Sequence, residues 1–162
     1  MERRTRTLWT VERARPEQAE EILGVQAEAF RENQKKYRVP LPALTETAED
    51  VQKVIAKGQV LVAKQGDEII GSVRVFVEGE RASVSHLAVL PAYGHLAVGR
   101  SLMAAAEKEA RSRSAQEVVL ETGLRDAPAI EFYIKLGYRP IELIPDDDTE
   151  VDQVRFRRPL VP

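Results

Sequence analysis

Hydrophobic and polar positions change period several times along this chain. From Thr7 to Arg13 they alternate weakly, as in a first strand. From Pro16 the period becomes helical. Ala19, Ile22, Leu23, Val25, Gln26, Ala29 and Phe30 recur on one helix face, and Pro16 suits the first turn. Arg31–Leu44 opens polar and is then broken by Pro40 and Pro42, so its second half reads as a loop. Thr47 can cap a second helix through Ile55, with Asp50 completing a capping box and Gly58 ending it. Three strands follow, Val60–Lys64, Ile69–Val77 and Ala82–Leu90, joined at Gln65-Gly66-Asp67 and Glu78-Gly79-Glu80 as hairpin turns. A helix from about Ala97 to Arg113 buries Val98, Leu102, Met103 and Ala106. Glu117–Glu121 is a strand through Val118, Val119 and Leu120, and Ala127–Leu136 a helix stopped by Gly137. Tyr138–Ile144 and Val151–Pro159 read as a closing hairpin around the acidic loop Asp146-Asp147-Asp148. The predicted order is β-α-α-β-β-β-α-β-α-β-β.

The most informative stretch is Leu87–Leu102. An apolar strand meets Pro91, then a loop holding Gly94, Ala97 and Gly99, then a helix. The first amides of a helix have no internal partner, and the helix dipole adds positive potential there. Strand, small-residue loop and helix start in series therefore suit a phosphate-bearing ligand.

That stretch keeps Leu87, Val89, Pro91, Gly99 and Leu102 of a pattern that runs Leu-x-Val-x-Pro, then Arg/Gln-x-x-Gly-x-Gly/Ala. A second block, Glu121–Tyr138, places Asp126, Ala129, Tyr133, Gly137 and Tyr138 where Asn-x-x-Ala-x-x-x-Tyr-x-x-x-Gly-Phe/Tyr is usual. Both blocks, in this order, resemble the GNAT family of N-acetyltransferases. They cover roughly the C-terminal half, and the element order of the first half agrees. The resemblance implies a single-domain α/β fold over residues 1–162, with a mixed, mostly antiparallel central sheet flanked by helices. The departures lie in the loop. Gly94 replaces the opening arginine or glutamine, Ala97 the middle glycine, His95 a frequent glycine, and Leu96 a frequent basic residue. Alanine is tolerated where φ is negative, so the expected effect is weaker cofactor binding.

The resemblance implies direct acetyl transfer from acetyl-CoA to a primary amine of a small molecule or peptide. Leu87, Ala88, Val89, Gly94, His95, Leu96, Ala97, Val98, Gly99, Arg100, Ser101 and Asp126 would hold the cofactor. A backbone N–H near Leu87–Val89 would hold the thioester carbonyl as it becomes an oxyanion. Asp126 can equally cap the helix that begins at Ala127. Tyr133 is the candidate acid for the leaving thiolate, since a phenol pKa of about 10 lies close to a thiol's. The base stays open. Some relatives carry a carboxylate or histidine at the positions of Ser83 and Ser85, which alternation places on one face with Leu87. His86 then faces the other way and reads as structural, unless a local bulge reverses it. Phe30, Glu32, Tyr37 and Ser85 are the candidate acceptor-lining residues, and the three aspartates either attract an amine or form a solvated turn.

Composition narrows the picture. At 162 residues, the chain is long enough for one domain with its own core. A net charge of −2 provides no basic field for nucleic acid. Cysteine is absent, which excludes a disulfide scaffold, a thiolate zinc site and a cysteine acyl-enzyme. With His86 and His95 as the only histidines, no metal site is expected. Arg3, Arg4 and Arg6 precede no apolar run, and no run approaches the ~20 residues of a bilayer span, so no membrane association is expected and the cytoplasm is the default. Two further readings stay open. One is a degenerate GNAT-fold module that binds acyl-CoA without transfer, and the other is an interaction protein that has lost the cofactor site. A homodimer is also open, because relatives are often dimers.

Overall fold

The computed structural model describes residues 8–94 and 97–160. Thr7, the first basic residues, His95 and Leu96 lie outside them. The chain runs β1 (Thr10–Arg13), a turn of 3₁₀ helix (Pro16–Gln18), α1 (Ala19–Gln34), α2 (Pro42–Thr45) and α3 (Ala48–Ala56). It continues with β2 (Val60–Gln65), β3 (Glu68–Glu78), β4 (Arg81–Val89), α4 (Val98–Ser112), β5 (Glu117–Gly123), α5 (Ala127–Lys135), β6 (Arg139–Ile144) and β7 (Gln153–Pro159). The strands form one seven-stranded sheet in the order β1-β2-β3-β4-β5-β7-β6. Every neighbouring pair is antiparallel except β4 and β5.

The expected order holds, with one addition in the segment read as a loop. Helix α1 persists to Gln34, and the short α2 starts with Pro42 in its first turn. Gln34 organises what lies between. Its side-chain oxygen accepts from the Leu41 amide at 2.7 Å, and its side-chain nitrogen donates to the Val39 carbonyl at 2.8 Å. The Thr47–Asp50 capping box forms as predicted.

Two apolar layers cover the sheet. On one face α1 and α3 bury Ile22, Val25, Val51 and Ile55 against Val60, Val62, Ile69 and Ala88. On the other, Val98, Leu102, Met103 and Ala106 of α4 meet Leu61, Ile70, Val73, Val84 and Leu120, with Tyr133, Tyr138 and Phe156 beside them. Adjacent pairs such as Leu61/Val62 and Ile69/Ile70 divide between the faces, as a two-residue period requires. Tyr138 donates its hydroxyl to the buried Glu107 at 2.9 Å, and Arg158 reaches the same carboxylate, so α4 is tied to β7.

Two irregularities in β4 create the functional region. The first is its separation from β5. The parallel ladder runs from Arg81/Glu117 to Val84/Leu120 and stops, although β4 continues to Val89 and β5 to Gly123. The strands part there, and a cleft opens between them. The second is a bulge against β3. Arg74 pairs with Ser85 and Ser72 with Ala88, so Val73 faces both His86 and Leu87. His86 takes a left-handed backbone (φ 53°), where glycine is usual. The bulge inverts the alternation. Ala88 joins the core on the α1 face, whereas Leu87 and Val89 turn to the α4–α5 side.

Gly71 sets how closely α4 approaches this strand. A methyl there would come within 3.0 Å of both the Ala88 carbonyl and the Leu102 side chain. Gly71→Ala is expected to destabilise the fold by about 1–3 kcal/mol, the usual cost of overpacking, as read by urea unfolding. A neutral result would mean that the helix can move away freely.

Candidate active site

The cleft has two chambers that meet at Leu87, Ala129 and Tyr133. One lies at the start of α4. It encloses about 470 Å³ and is lined by Leu87, Val89, Gly94, Ala97, Gly99 and Arg100, with Pro128, Phe132 and Tyr133 from α5. The first helical bond of α4 runs from the Ser101 amide to the Ala97 carbonyl at 3.1 Å. The amides of Val98, Gly99 and Arg100 precede that bond at the start of the helix, and among the described residues no helical carbonyl receives them, which suits an anion. Tyr93 braces the preceding turn by donating its hydroxyl to Gln65 at 2.8 Å.

Six of the predicted cofactor residues line this chamber: Leu87, Val89, Gly94, Ala97, Gly99 and Arg100. The side chains of Ala88 and Val98 do not, since both are buried in the core. Ser101 takes a hydrogen bond from the Trp9 indole at 3.0 Å. Asp126 caps α5 through the Ala129 amide at 3.2 Å and lines the other chamber. His95 and Leu96 lie outside the described residues. Ala97 departs from expectation. It stands at φ +60°, in the left-handed region, and not at the negative φ that suits alanine.

Tyr133 sits where the chambers meet, 8% exposed, with its ring edge-on to Phe132 at 5.2 Å and to Tyr138 at 5.9 Å. Burial, helped by the negative charge of Asp126, pushes its phenol well above the usual range. The expected near-match to a thiol is therefore lost. The hydroxyl keeps its proton at any working pH and serves as a donor.

The second chamber encloses about 410 Å³. Phe30, Tyr37 and Ser85 line it, as expected, but Glu32 does not. The Glu32 side chain is 80% exposed and pairs with Lys35 at 2.9 Å, because its position on α1 turns away from the sheet. Asn33, Leu41, Pro42, Ser83, His86, Thr122, Gly123 and Gln153 contribute to the walls although the sequence did not mark them for that role. The segment after α1 closes one side. Lys36 donates to the Arg125 carbonyl at 3.3 Å, Arg125 donates to the Lys36 carbonyl at 3.0 Å, and the Arg125 guanidinium lies over the Tyr37 ring. Gly123 leaves room for the Tyr37 hydroxyl, which a methyl there would strike. Both that hydroxyl and Asn33 Oδ1 are buried and have no hydrogen-bond partner among the described residues.

A polar network underlies this chamber. Arg74 on β3 grips Glu46 through two hydrogen bonds of 2.7 and 2.9 Å and reaches Gln26 at 3.2 Å. His86 Nε2 stands 3.4 Å from Glu46 Oε1, and His86 Nδ1 stands 3.0 Å from Ser85 Oγ. His86 therefore lies on the same side as Ser85, against the plain alternation, because the bulge turned it there. Burial lowers its pKa, the positive Arg74 lowers it further, and Glu46 opposes both. Gln26 was the visible sign of this network. It is a polar residue within an apolar helix stripe, only 1% exposed, and a buried amide must find partners.

The aspartate run does not line either chamber. Asp146 accepts from the amides of Asp148 and Thr149, so the run closes its own turn. Among the described residues no three acidic or imidazole groups stand together to hold a metal ion, and no helix is long and apolar enough to cross a membrane.

Comparison with known proteins agrees with this geometry. The profile of the acetyltransferase (GNAT) family matches residues 19–138, and the chain belongs to that family. Among solved structures, the PaiA N-acetyltransferase of Thermoplasma acidophilum in complex with coenzyme A superposes with a TM-score of 0.80 at 17% identity, over 93% of this chain and 98% of that one. A ribosomal-protein alanine N-acetyltransferase from Escherichia coli gives 0.72 at 18% identity, over 95% of each chain. An aminoglycoside 6'-N-acetyltransferase complexed with coenzyme A gives 0.73 at 16%, over 94% and 98%. At these identities the likeness shows a shared fold. No curated protein matches the sequence.

Left-handed alanine costs about 1–2 kcal/mol. Replacing it by glycine relieves that strain but costs about 0.4–1 kcal/mol through the freer unfolded chain. Ala97→Gly is thus expected to stabilise the protein by about 0.5–1 kcal/mol in urea unfolding. A loss of stability would mean that this residue is not left-handed.

Proposed function

We propose that the protein is an acyl-CoA-dependent N-acetyltransferase, acting as a single domain on a primary amine of a small molecule or peptide. One observation carries the reading. A buried tyrosine that keeps its proton stands at the junction between an anion-binding helix start and a separate polar chamber. The first amides of α4, those of Val98, Gly99 and Arg100, with the exposed Arg100 side chain, fit the pyrophosphate of acetyl-CoA, which supplies the acetyl thioester. Coenzyme A in the PaiA and aminoglycoside acetyltransferase structures supports the same assignment.

The chain's own groups then divide the work. A β4 backbone N–H beyond the bulge, where β5 no longer pairs, polarises the thioester carbonyl and stabilises the oxyanion. The 410 Å³ chamber holds the amine in line with that carbonyl, and its orphaned Tyr37 hydroxyl and Asn33 oxygen bind polar groups beside the amine. Tyr133 donates to the leaving sulfur. The strained Ala97 motivates the second reading, a module that binds acyl-CoA without transfer.

Calorimetry with acetyl-CoA is expected to show binding that Gly99→Glu weakens at least tenfold, about 1.4 kcal/mol. No binding by the parent protein at millimolar ligand would overturn both readings. Turnover is then tested with acetyl-CoA and ethanolamine, putrescine, tyramine, glycinamide or a short peptide. Tyr133→Phe should lower kcat by about 10²-fold or more while acetyl-CoA affinity holds. Its raised pKa means that phenol ionisation produces no basic limb in the rate below about pH 10. Binding without transfer to any of these amines would favour the module.

A further inference from the structure

We propose that Ser85 and His86 form the proton path for the acceptor amine, with Glu46 as the positioning residue that orients the imidazole. The inference rests on the transferase reading and supplies the base which that reading lacks. Three observations converge on it. Ser85 and His86 both line the acceptor chamber, and Ser85 is exposed to it. Hydroxyl, imidazole and carboxylate stand in series, with a hydrogen bond of 3.0 Å between Ser85 Oγ and His86 Nδ1 and a charge contact of 3.4 Å between His86 Nε2 and Glu46 Oε1. The backbone accepts a left-handed residue at His86 to hold this arrangement, and such strain concentrates at functional sites.

Hydrogen-bond chemistry assigns the protons. The Glu46 carboxylate, which accepts two bonds from Arg74, stands beside Nε2, so neutral His86 carries its proton on Nε2. Nδ1 is then an acceptor, and Ser85 donates its hydroxyl to it. The serine oxygen's lone pairs remain for a proton arriving from the chamber. As the amine nitrogen bonds to the acetyl carbon and the carbon–sulfur bond breaks, the amine's proton passes to Ser85 Oγ and the serine's own proton passes to His86 Nδ1. Tyr133 donates a hydrogen bond to the departing thiolate, which takes its proton from solvent. The imidazolium later returns its proton to solvent, so the protons balance. The charged groups around His86 are Arg74 from β3 and Glu46 from the link between α2 and α3. Elsewhere in the chamber wall Glu121 on β5 is tied to Arg155, and Asp126 caps α5. Helix α1 contributes the neutral Phe30 and Asn33. Burial and Arg74 favour the neutral imidazole, the form that can accept.

Two measurements test the path. The chain has two histidines, so ¹⁵N-histidine NMR on the His95→Gln protein isolates His86. The Nε2–H tautomer is expected at neutral pH, with an Nδ1 shift that moves in Ser85→Ala. The Nδ1–H tautomer would overturn the proposal. Kinetics use whichever of the five amines is acetylated. His86→Asn keeps a residue type that tolerates positive φ but cannot take the proton. It should lower kcat about 10²-fold, with the KM for acetyl-CoA nearly unchanged. Wild-type kcat/KM should show an additional acid limb below about pH 6.5, beyond the amine's own ionisation, and the variant should lack it. Ser85→Ala should fall similarly, and Ser85→Thr should recover most of the rate. Full activity in His86→Asn, with the acid limb intact, would sink the relay and leave the transferase reading standing. If no amine is acetylated, the transferase reading falls and the relay with it.

Discussion

One residue too many in β4 governs the site. The strand must stay paired with β3 on one edge while it leaves β5 on the other. The bulge at His86–Leu87 lets it do both, because a bulge adds local twist and bends the strand that carries it. The bend opens the cleft. The inverted alternation then sends Leu87 and Val89 toward the chamber at the start of α4 and leaves Ser85 and His86 facing the other. Without that inversion, His86 would point into the layer that packs on α4, and the network through Glu46 would have no imidazole to orient.

Burial then sets the protonation of the groups around the cleft. Removing water disfavours the charged form, whichever sign it has. Tyr133 is pushed up and stays a neutral donor, while His86 is pushed down and stays a neutral acceptor. A single effect thus favours a neutral phenol where the chambers meet and a neutral imidazole in the wall of the second. Arg74 serves both ends of the polar network. It fixes Glu46 by a two-pronged contact and adds to the depression of His86.

Much of the architecture was legible because it follows period and punctuation. Alternation marked β2 to β4, the apolar spacing of Val98, Leu102, Met103 and Ala106 marked α4, and Thr47 with Asp50 marked the start of α3. The residues at the start of α4 lie on a contiguous stretch, so Gly94, Ala97, Gly99 and Arg100, which line one chamber, could be read from local sequence. The acceptor side was harder, because its walls come from α1, the following segment, β4 and β5 at once. Glu32 fits the linear neighbourhood of Phe30 and Tyr37, but helical rotation carries it outward. His86 was misplaced because a bulge leaves no mark in a single sequence when its left-handed residue is not glycine. Ala97 fails the same test, as its positive φ is imposed by the turn into α4 and not announced by its type.

The central claim is that one cleft receives acyl-CoA at the start of α4 and delivers its sulfur to Tyr133, beside the acceptor chamber. A crystal structure with coenzyme A bound tests it most directly. The account predicts the pyrophosphate on the amides of Val98, Gly99 and Arg100, and the thiol within hydrogen-bond reach of the Tyr133 hydroxyl. Coenzyme A bound elsewhere, or a thiol directed away from Tyr133, would contradict it.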